Sequence, residues 1–294
     1  MKTLSRTKIS YNGKEFTNLG DFHTHTIYSL HGMSSPTEMV NAAFQNGFNY
    51  IALTDHHYVW PNAYPYDKGI RGANFFNRKN QEARIWEYKR SFKSINNLIT
   101  VIPGYEYNFF QYQQCSATSV DMSRISYPHL RLIGLHSWYY EPSLIDRNIL
   151  LDEIEEQFRD GNYHILVHPE RELDKIFKGS DNETYIKDIL SEIVDLCAKY
   201  EIIMEVNNSS IIGCPPDSYE RNLRFIFMRH WLKRAKEKNL HIVVNSDAHS
   251  IYDIGDCGDV FDILGTVQYP ESLIINFDND LIRSMIIKRA RGEA

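Results

Sequence analysis

Short apolar runs alternate with amphipathic stretches along most of the chain. Seven apolar runs have the length and composition of β-strands, and they cover residues 18–23, 50–56, 99–106, 131–136, 163–169, 202–208 and 241–249. Between most of them, apolar residues recur every three or four positions, which predicts helices over residues 35–47, 79–97, 146–160, 183–200 and 219–239. Nearly continuous apolar strands that alternate with such helices are typical of a parallel sheet covered by helices. Because there are seven repeats, we expect an α/β protein built as a seven-stranded (β/α) barrel.

The start of the chain departs from this rhythm. Asn12 and Gly13 lie between two short alternating runs, a pattern that predicts a β-hairpin. We therefore expect residues 1–18 to form an N-terminal arm and residues 19–294 to form a single domain.

Two long stretches also interrupt the alternation of strands and helices. Residues 57–78 and 107–130 are rich in aromatic side chains, and each follows the C-terminal end of a predicted strand. Barrel enzymes build their sites from the loops at that end of the strands. We expect both stretches to form part of an active-site rim.

Charge and composition narrow the range of partners. The chain has 294 residues, of which 43% are hydrophobic, so it can bury a sizeable core. Its net charge is −6, and its longest basic cluster, "IKRARG" at residues 287–292, is typical of a solvated helix end. A nucleic-acid partner is therefore not expected.

Neither a secretory signal nor a membrane-spanning segment is expected from the sequence. Its first residues lack the apolar core of a secretory signal, and no run of about 18 apolar residues is present to cross a bilayer. The four cysteines, at positions 115, 197, 214 and 257, show no CxxC spacing. These observations predict a cytoplasmic protein with reduced thiols and no membrane anchor.

Histidines and carboxylates mark the ends of the predicted strands. The stretch "DFHTHTIYSLHG" alone contains three histidines. Nine potential ligands lie at or shortly after a strand end: His23, His25, His31, His56, Glu106, His136, His168, Asp247 and His249. Because parallel strands of a barrel bring their C-terminal ends to one face, we expect these side chains to converge.

The chemistry of these nine side chains indicates a metal site. Imidazole and carboxylate are ligands of Zn²⁺, Mn²⁺ and iron, whereas the absence of thiolates argues against a structural cysteine-zinc site. A single histidine at a strand end is usually structural, but nine such groups buried together without a cation would be costly. Nine ligands also exceed the needs of one ion. Three ions with three or four ligands each, two of them bridged by Glu106, would use the whole set.

The order of six motifs resembles that of the polymerase and histidinol phosphatase (PHP) superfamily: "DFHTHTIYSLHG", "LTDHH", "PGYEYN", "LIGLH", "LVHPE" and "NSDAH". The sequence is most similar to the stand-alone bacterial phosphatases of that superfamily that have a trinuclear zinc site, and "MEVNNSS" at residues 204–210 is also similar to that subgroup. The resemblance implies that residues 19–294 form a distorted seven-stranded barrel with three metal ions at its C-terminal face.

The resemblance also implies how the ions are shared. His23, His25, Glu106 and Asp247 would hold the first ion, Glu106, His136 and His168 the second, and His31, His56 and His249 the third. Zinc is the expected metal, with manganese or iron as alternatives, since similar sites accept all three.

These residues predict a metal-dependent phosphoesterase. Metal-activated hydroxide would attack a small phosphorylated metabolite, a phosphomonoester, at the trinuclear site. Asp21 shares a strand face with His23, so it is a candidate to orient a ligand imidazole. Guanidinium groups match phosphate geometry, and three arginines are candidate phosphate contacts: Arg71, Arg78 and Arg171.

Two alternative functions stay open at this point. A phosphodiesterase or exonuclease acting on nucleotides or single-stranded nucleic acid would use the same metals, although it would need a basic groove that follows the strand. A non-catalytic binding module stabilised by metal would need no turnover at all.

Overall fold

The computed structural model of the chain describes residues 7–29, 31–56, 99–109, 128–136, 146–160, 162–177 and 182–293. The predicted helix at 79–97, the long stretch at 57–78 and most of the stretch at 107–130 lie outside these residues.

Seven parallel strands form one nearly closed barrel, as the sequence predicts. They are β3 (Gly20–Asp21), β4 (Tyr50–Leu53), β5 (Thr100–Asn108), β6 (Leu130–Gly134), β7 (Ile165–Val167), β8 (Ile203–Asn207) and β9 (Ile242–Asn245). Each strand pairs in parallel with the next one in the chain, so the order around the barrel is the order in the sequence.

Helices follow the strands and cover the barrel. They are α1 (Pro36–Gln45), α2 (Arg147–Asp160), α3 (Leu173–Ile176), α4 (Asn182–Lys199), α5 (Ser209–Ile212), α6 (Tyr219–Glu237) and α7 (Gly258–Val267). After α7 come 3₁₀ turns at Glu271–Leu273 and Ile275–Phe277, the short helix α8 (Asn279–Leu281), a π-helical segment (Ile282–Ile287) and α9 (Lys288–Arg291). The predicted helices within the described residues are confirmed, whereas α3, α5 and α7 were not anticipated. None of the described helices is both long enough and apolar enough to span a bilayer.

Alternate strand residues face opposite sides of the barrel wall. In β8, Ile203 points into the barrel and belongs to a core that includes Ile282 and Ile286 of the C-terminal segment. Its neighbour Met204 belongs to the layer between the strands and the helices, together with Trp231 of α6. Because Ile203 is the first residue of its strand, the C-terminal segment packs near the N-terminal end of the barrel. The opposite, C-terminal end of the barrel is therefore available for a functional site.

The barrel is joined between its first and last strands mainly by side chains. Asn276 is fully buried there, and its Oδ1 accepts a hydrogen bond from the Val244 backbone N–H at 2.7 Å. Its Nδ2 donates to the carbonyl oxygens of Val244 and Gly20 at 2.8 and 2.9 Å. Nearby, Asn245 Oδ1 accepts a hydrogen bond from the Phe22 N–H at 2.9 Å. Asn276 therefore bridges β9 and β3 through three hydrogen bonds.

The predicted N-terminal hairpin is confirmed. Strands β1 (Lys8–Tyr11) and β2 (Lys14–Thr17) pair antiparallel, and Asn12 and Gly13 both have positive φ, which suits a tight hairpin turn. The Tyr11 hydroxyl donates to the Tyr269 carbonyl at 2.6 Å. Phe16 stacks on Phe277 with a centroid distance of 4.5 Å. The hairpin thus covers the segment that carries Asn276.

We expect Asn276→Ala to lower the free energy of unfolding by roughly 3–5 kcal/mol, because several buried backbone groups lose their partner at once. Urea unfolding followed by circular dichroism measures this change. Asn222→Ala on the exposed face of α6 is the control, with an expected change within about 0.5 kcal/mol. Equal stability of the two variants would show that Asn276 does not close the barrel.

Candidate metal centre

The nine predicted side chains meet at the C-terminal end of the barrel. Contacts between imidazole rings run through all seven histidines, with centroid distances from 4.3 Å, for His25–His249 and His31–His249, to 6.1 Å, for His25–His31. His56 lies 4.5 Å from His25 and 5.3 Å from His136. The two carboxylates, Glu106 and Asp247, lie among the rings. The nine side chains lie together because they are at or after the C-terminal ends of parallel strands, which meet at one face of the barrel.

Glu106 is at the centre of this cluster. It lies on β5, the longest of the described strands, and is almost fully buried. Its Oε1 is 2.8 Å from His168 Nε2 and 3.1 Å from His136 Nε2. Its Oε2 is 2.8 Å from His56 Nδ1 and 3.4 Å from Nε2 of both His23 and His25. One carboxylate therefore contacts imidazoles that come from four other parts of the chain.

Asp247 is the second carboxylate of the cluster. Its Oδ1 is 3.1 Å from His25 Nε2 and 3.5 Å from His23 Nε2. Asp247 has a φ of 56°, and His168 has a φ of 34°. Residues other than glycine rarely adopt this left-handed conformation, and such strain concentrates at functional sites. The strain indicates that the surrounding contacts fix both side chains.

Four overlapping groups have ligand atoms close enough to hold an ion: His25, His56 and His249; His23, His168 and Asp247; His23, His25 and Glu106; and His56, Glu106 and His136. These groups do not correspond one to one with the three sets that the resemblance implies. His168 groups with His23 and Asp247, although it also contacts Glu106. His31 is in none of the four groups, and its ring lies against that of His249.

Burial and neighbouring charges set the protonation of the cluster. Burial lowers the pKa of His31 to about 3 and that of His136 to about 4, and it lowers the pKa of His25 well below its ordinary value. Burial raises the pKa of Glu106, but the surrounding imidazoles, of which His56 has the largest effect, lower it well below its ordinary value. These histidines are therefore neutral and Glu106 is ionised at neutral pH, the forms that bind divalent metal ions.

Several ligand nitrogens are oriented by a hydrogen bond on the other side of the ring. His25 Nδ1 is 2.9 Å from Ser29 Oγ, which donates in turn to Asp55 at 2.7 Å. His136 Nδ1 donates to Asn108 Oδ1 at 3.1 Å. His249 Nδ1 donates to the carbonyl oxygen of Asp247, two residues before it, at 2.8 Å. Such bonds leave Nε2 of each ring facing the centre of the cluster.

The imidazole of His23 is oriented by Glu205, which the sequence analysis missed. The two side chains are 2.7 Å apart, between Nδ1 and Oε1. A signal was present in the sequence, since Glu205 is a charged residue within the apolar strand "IIMEVNN". Asp21, the candidate for this role, has other partners: its carboxylate accepts hydrogen bonds from the Ser246 hydroxyl at 2.5 Å and from the Gly255 N–H at 3.0 Å. Asp21 thus holds the loop that carries Asp247.

Of the three candidate phosphate contacts, Arg171 is described by the structure. Its guanidinium Nη1 is 2.9 Å from Asp247 Oδ2, and 31% of its side chain is exposed. Arg171 therefore lies at the edge of the cluster. Arg71 and Arg78 lie outside the described residues, so their role stays a prediction.

Orphaned atoms test whether this cluster fits metal ions. His249 Nε2 is buried and has no hydrogen-bonding partner within the described part of the chain. Glu106 Oε2 is also buried and accepts no well-directed hydrogen bond there, although it lies 2.8 Å from His56 Nδ1. Both atoms belong to the cluster. Unpaired buried lone pairs beside neutral imidazoles are the donors that a divalent ion requires.

Comparison with known proteins finds relatives over most of the chain. The model of the PHP domain family matches residues 21–209. A protein of Thermoanaerobacter sp. (strain X514) that is named a probable phosphatase is 26% identical over 279 residues, covering 92% of this chain and 95% of its own length. The probable phosphatase YcdX of Escherichia fergusonii is 26% identical over 258 residues, covering 87% of this chain and 89% of its own.

Among solved structures, a similar fold occurs in the histidinol phosphate phosphatase of Lactococcus lactis subsp. lactis Il1403, crystallised with zinc, L-histidinol and phosphate. The two structures align with a TM-score of 0.54 at 16% identity, over 85% of this chain and 92% of that one. At this level of identity the likeness concerns the fold alone.

We expect Gly134→Ala to lower the zinc affinity of the cluster at least about tenfold. A Cβ at Gly134 would lie 2.9 Å from Cε1 of His168 and 3.3 Å from Oε1 of Glu106, so the His168 ring must shift. Competition with a chromophoric chelator measures the affinity. Gly265→Ala in α7 is the matched control, because its Cβ would meet no atom within 4 Å. Equal affinities for the two variants would contradict the importance of the close packing at Gly134.

Proposed function

The chain belongs to the PHP domain family, and from this premise we propose that it is a metal-dependent phosphatase that hydrolyses a small phosphomonoester. The observation that carries the proposal is the convergence of seven imidazoles with the carboxylates of Glu106 and Asp247 at one end of the barrel. The names of the curated relatives support it, as does the solved neighbour that was crystallised with zinc and phosphate.

The donor set suits three divalent ions. We propose the assignment that the sequence motifs imply: His23, His25, Glu106 and Asp247 for one ion, Glu106, His136 and His168 for a second, and His31, His56 and His249 for a third. Nitrogen and oxygen donors without thiolates accept zinc, manganese or iron. We propose zinc as the resident metal, because zinc is the metal in the solved neighbour.

The metal ions and Arg171 would have different roles in catalysis. When bound, the ions would neutralise the charge of the phosphate and lower the pKa of the water that attacks phosphorus. Arg171 gives one nitrogen to Asp247 and keeps part of its side chain exposed at the edge of the cluster. A guanidinium has five N–H donors in a planar fork that matches phosphate. We propose that Arg171 also donates to a phosphate oxygen of the substrate.

Elemental analysis of the purified protein should find close to three transition-metal ions per chain. His25→Ala should lower this number, because His25 contacts both carboxylates of the cluster. His230→Ala is the control, since His230 lies on α6 and its Nε2 is 2.9 Å from Ser191 Oγ, away from the cluster. One ion or none in the wild-type protein would contradict a trinuclear site.

A panel of substrates should separate the phosphatase from its alternatives. We expect the zinc-loaded protein to release phosphate from p-nitrophenyl phosphate at least about tenfold faster than it cleaves bis-p-nitrophenyl phosphate or single-stranded DNA. His25→Ala and His168→Ala should each lower this rate by more than about 100-fold, because even the loss of a residue that merely orients a ligand costs about 10–100-fold.

The control variant and the relative rates on the three substrates distinguish the alternative functions. His230→Ala should retain the wild-type rate. Faster cleavage of the diester or of DNA would indicate a phosphodiesterase or nuclease. Metal binding without any turnover would indicate a non-catalytic module.

A further inference from the structure

A third carboxylate, Glu205, lies inside the barrel next to the histidine cluster. It is in the middle of β8 and fully buried. Its Oε1 accepts hydrogen bonds from His23 Nδ1 at 2.7 Å and from Asn245 Nδ2 at 2.9 Å. Its Oε2 accepts hydrogen bonds from the backbone N–H of His168 at 3.1 Å and from Asn207 Nδ2 at 2.8 Å. Each oxygen therefore has two hydrogen-bonding partners, and Glu205 is in none of the four groups of candidate ligand atoms.

These bonds connect Glu205 with the strands on both sides of it. His168 follows β7, Asn245 ends β9, and His23 follows β3 across the join of the barrel. Asn245 strengthens the last connection, because its Oδ1 accepts a hydrogen bond from the Phe22 N–H. One side chain thus fixes the relative positions of two candidate ligands, His23 and His168, that lie far apart in the sequence.

The bond to His23 determines which ring nitrogen faces the cluster. A carboxylate only accepts hydrogen bonds, so Nδ1 of His23 carries a proton, and Nε2 is the ring nitrogen left to bind a metal ion. That Nε2 is 3.4 Å from Glu106 and 3.5 Å from Asp247. A histidine ligand held by a carboxylate is also a more basic ligand.

The bond to His168 acts on the backbone. His168 has a φ of 34°, a conformation that persists only when surrounding contacts enforce it. Glu205 holds the N–H of this strained residue, while the side chain places Nε2 at 2.8 Å from Glu106. Without the carboxylate, this buried N–H would lose its acceptor.

We propose that Glu205 is a positioning residue of the metal centre: it sets the tautomer of His23 and the backbone of His168, and it adds negative charge next to the cations. This inference rests on the proposed function. Burying a carboxylate inside a barrel is costly, and an apolar side chain would fill the same space more cheaply. The position is therefore explained by the cluster next to it rather than by the core around it.

Glu205→Gln tests the proposal. The amide keeps the size of the side chain but removes its charge and presents an N–H₂ group to donors. We expect zinc affinity, measured by competition with a chelator, to fall by about 10–100-fold. In the zinc-loaded protein, the proton NMR signal of the hydrogen-bonded Nδ1 proton of His23, assigned by its absence in His23→Asn, should shift or disappear. If Glu205→Gln does not fold, Glu205→Asp, which withdraws the charge from His23, should also lower the affinity.

The matched control is Glu170→Gln. Glu170 is equally buried, its Oε2 accepts from Trp231 Nε1 at 3.2 Å, and burial raises its pKa, so a neutral amide is a close substitute. Its zinc affinity should stay within about twofold of the wild-type value. Wild-type affinity and an unchanged NMR signal in Glu205→Gln, even with lower stability, would overturn the positioning role alone. A wild-type protein that binds no zinc would overturn the proposed function as well.

Discussion

The contact between Glu106 and five surrounding imidazoles is the interaction on which the rest of the structure depends. A carboxylate this deeply buried is costly unless neighbouring groups compensate it, and the imidazole nitrogens at 2.8–3.4 Å supply that compensation. These histidines follow four different strands of the barrel: His23 and His25 follow β3, His56 follows β4, His136 follows β6 and His168 follows β7. The cluster therefore exists only while the parallel strands keep their order and their register.

Closure of the barrel is the second requirement, because β3 leads to His23 and β9 leads to Asp247. These two strands are joined by side chains: Asn276 bonds to both strands, and Asn245 and Asp21 bond across the join. The join between β3 and β9 therefore stabilises the barrel and also positions candidate metal ligands. Glu205 extends this arrangement inward, since it binds Asn245 at the join and His23 in the cluster.

Most of the architecture was predictable from the sequence because apolar periodicity specifies strands and helices, and parallel strands bring their C-terminal ends together. This reasoning placed His23 beside Asp247, more than 200 positions later. Glu205, Ser29 and Asn108 were missed, because their role depends on which ring nitrogen they reach, and sequence spacing carries no such information. The sequence also could not show which ligands share an ion, because nine donors this close together have several possible groupings.

The most direct test of the metal centre is a crystal structure of the zinc-loaded protein with anomalous diffraction data collected at the zinc edge. The account predicts three peaks around Glu106, each at about 2.0–2.3 Å from imidazole nitrogens or carboxylate oxygens of the nine side chains. An anomalous map without a peak among these side chains would contradict it.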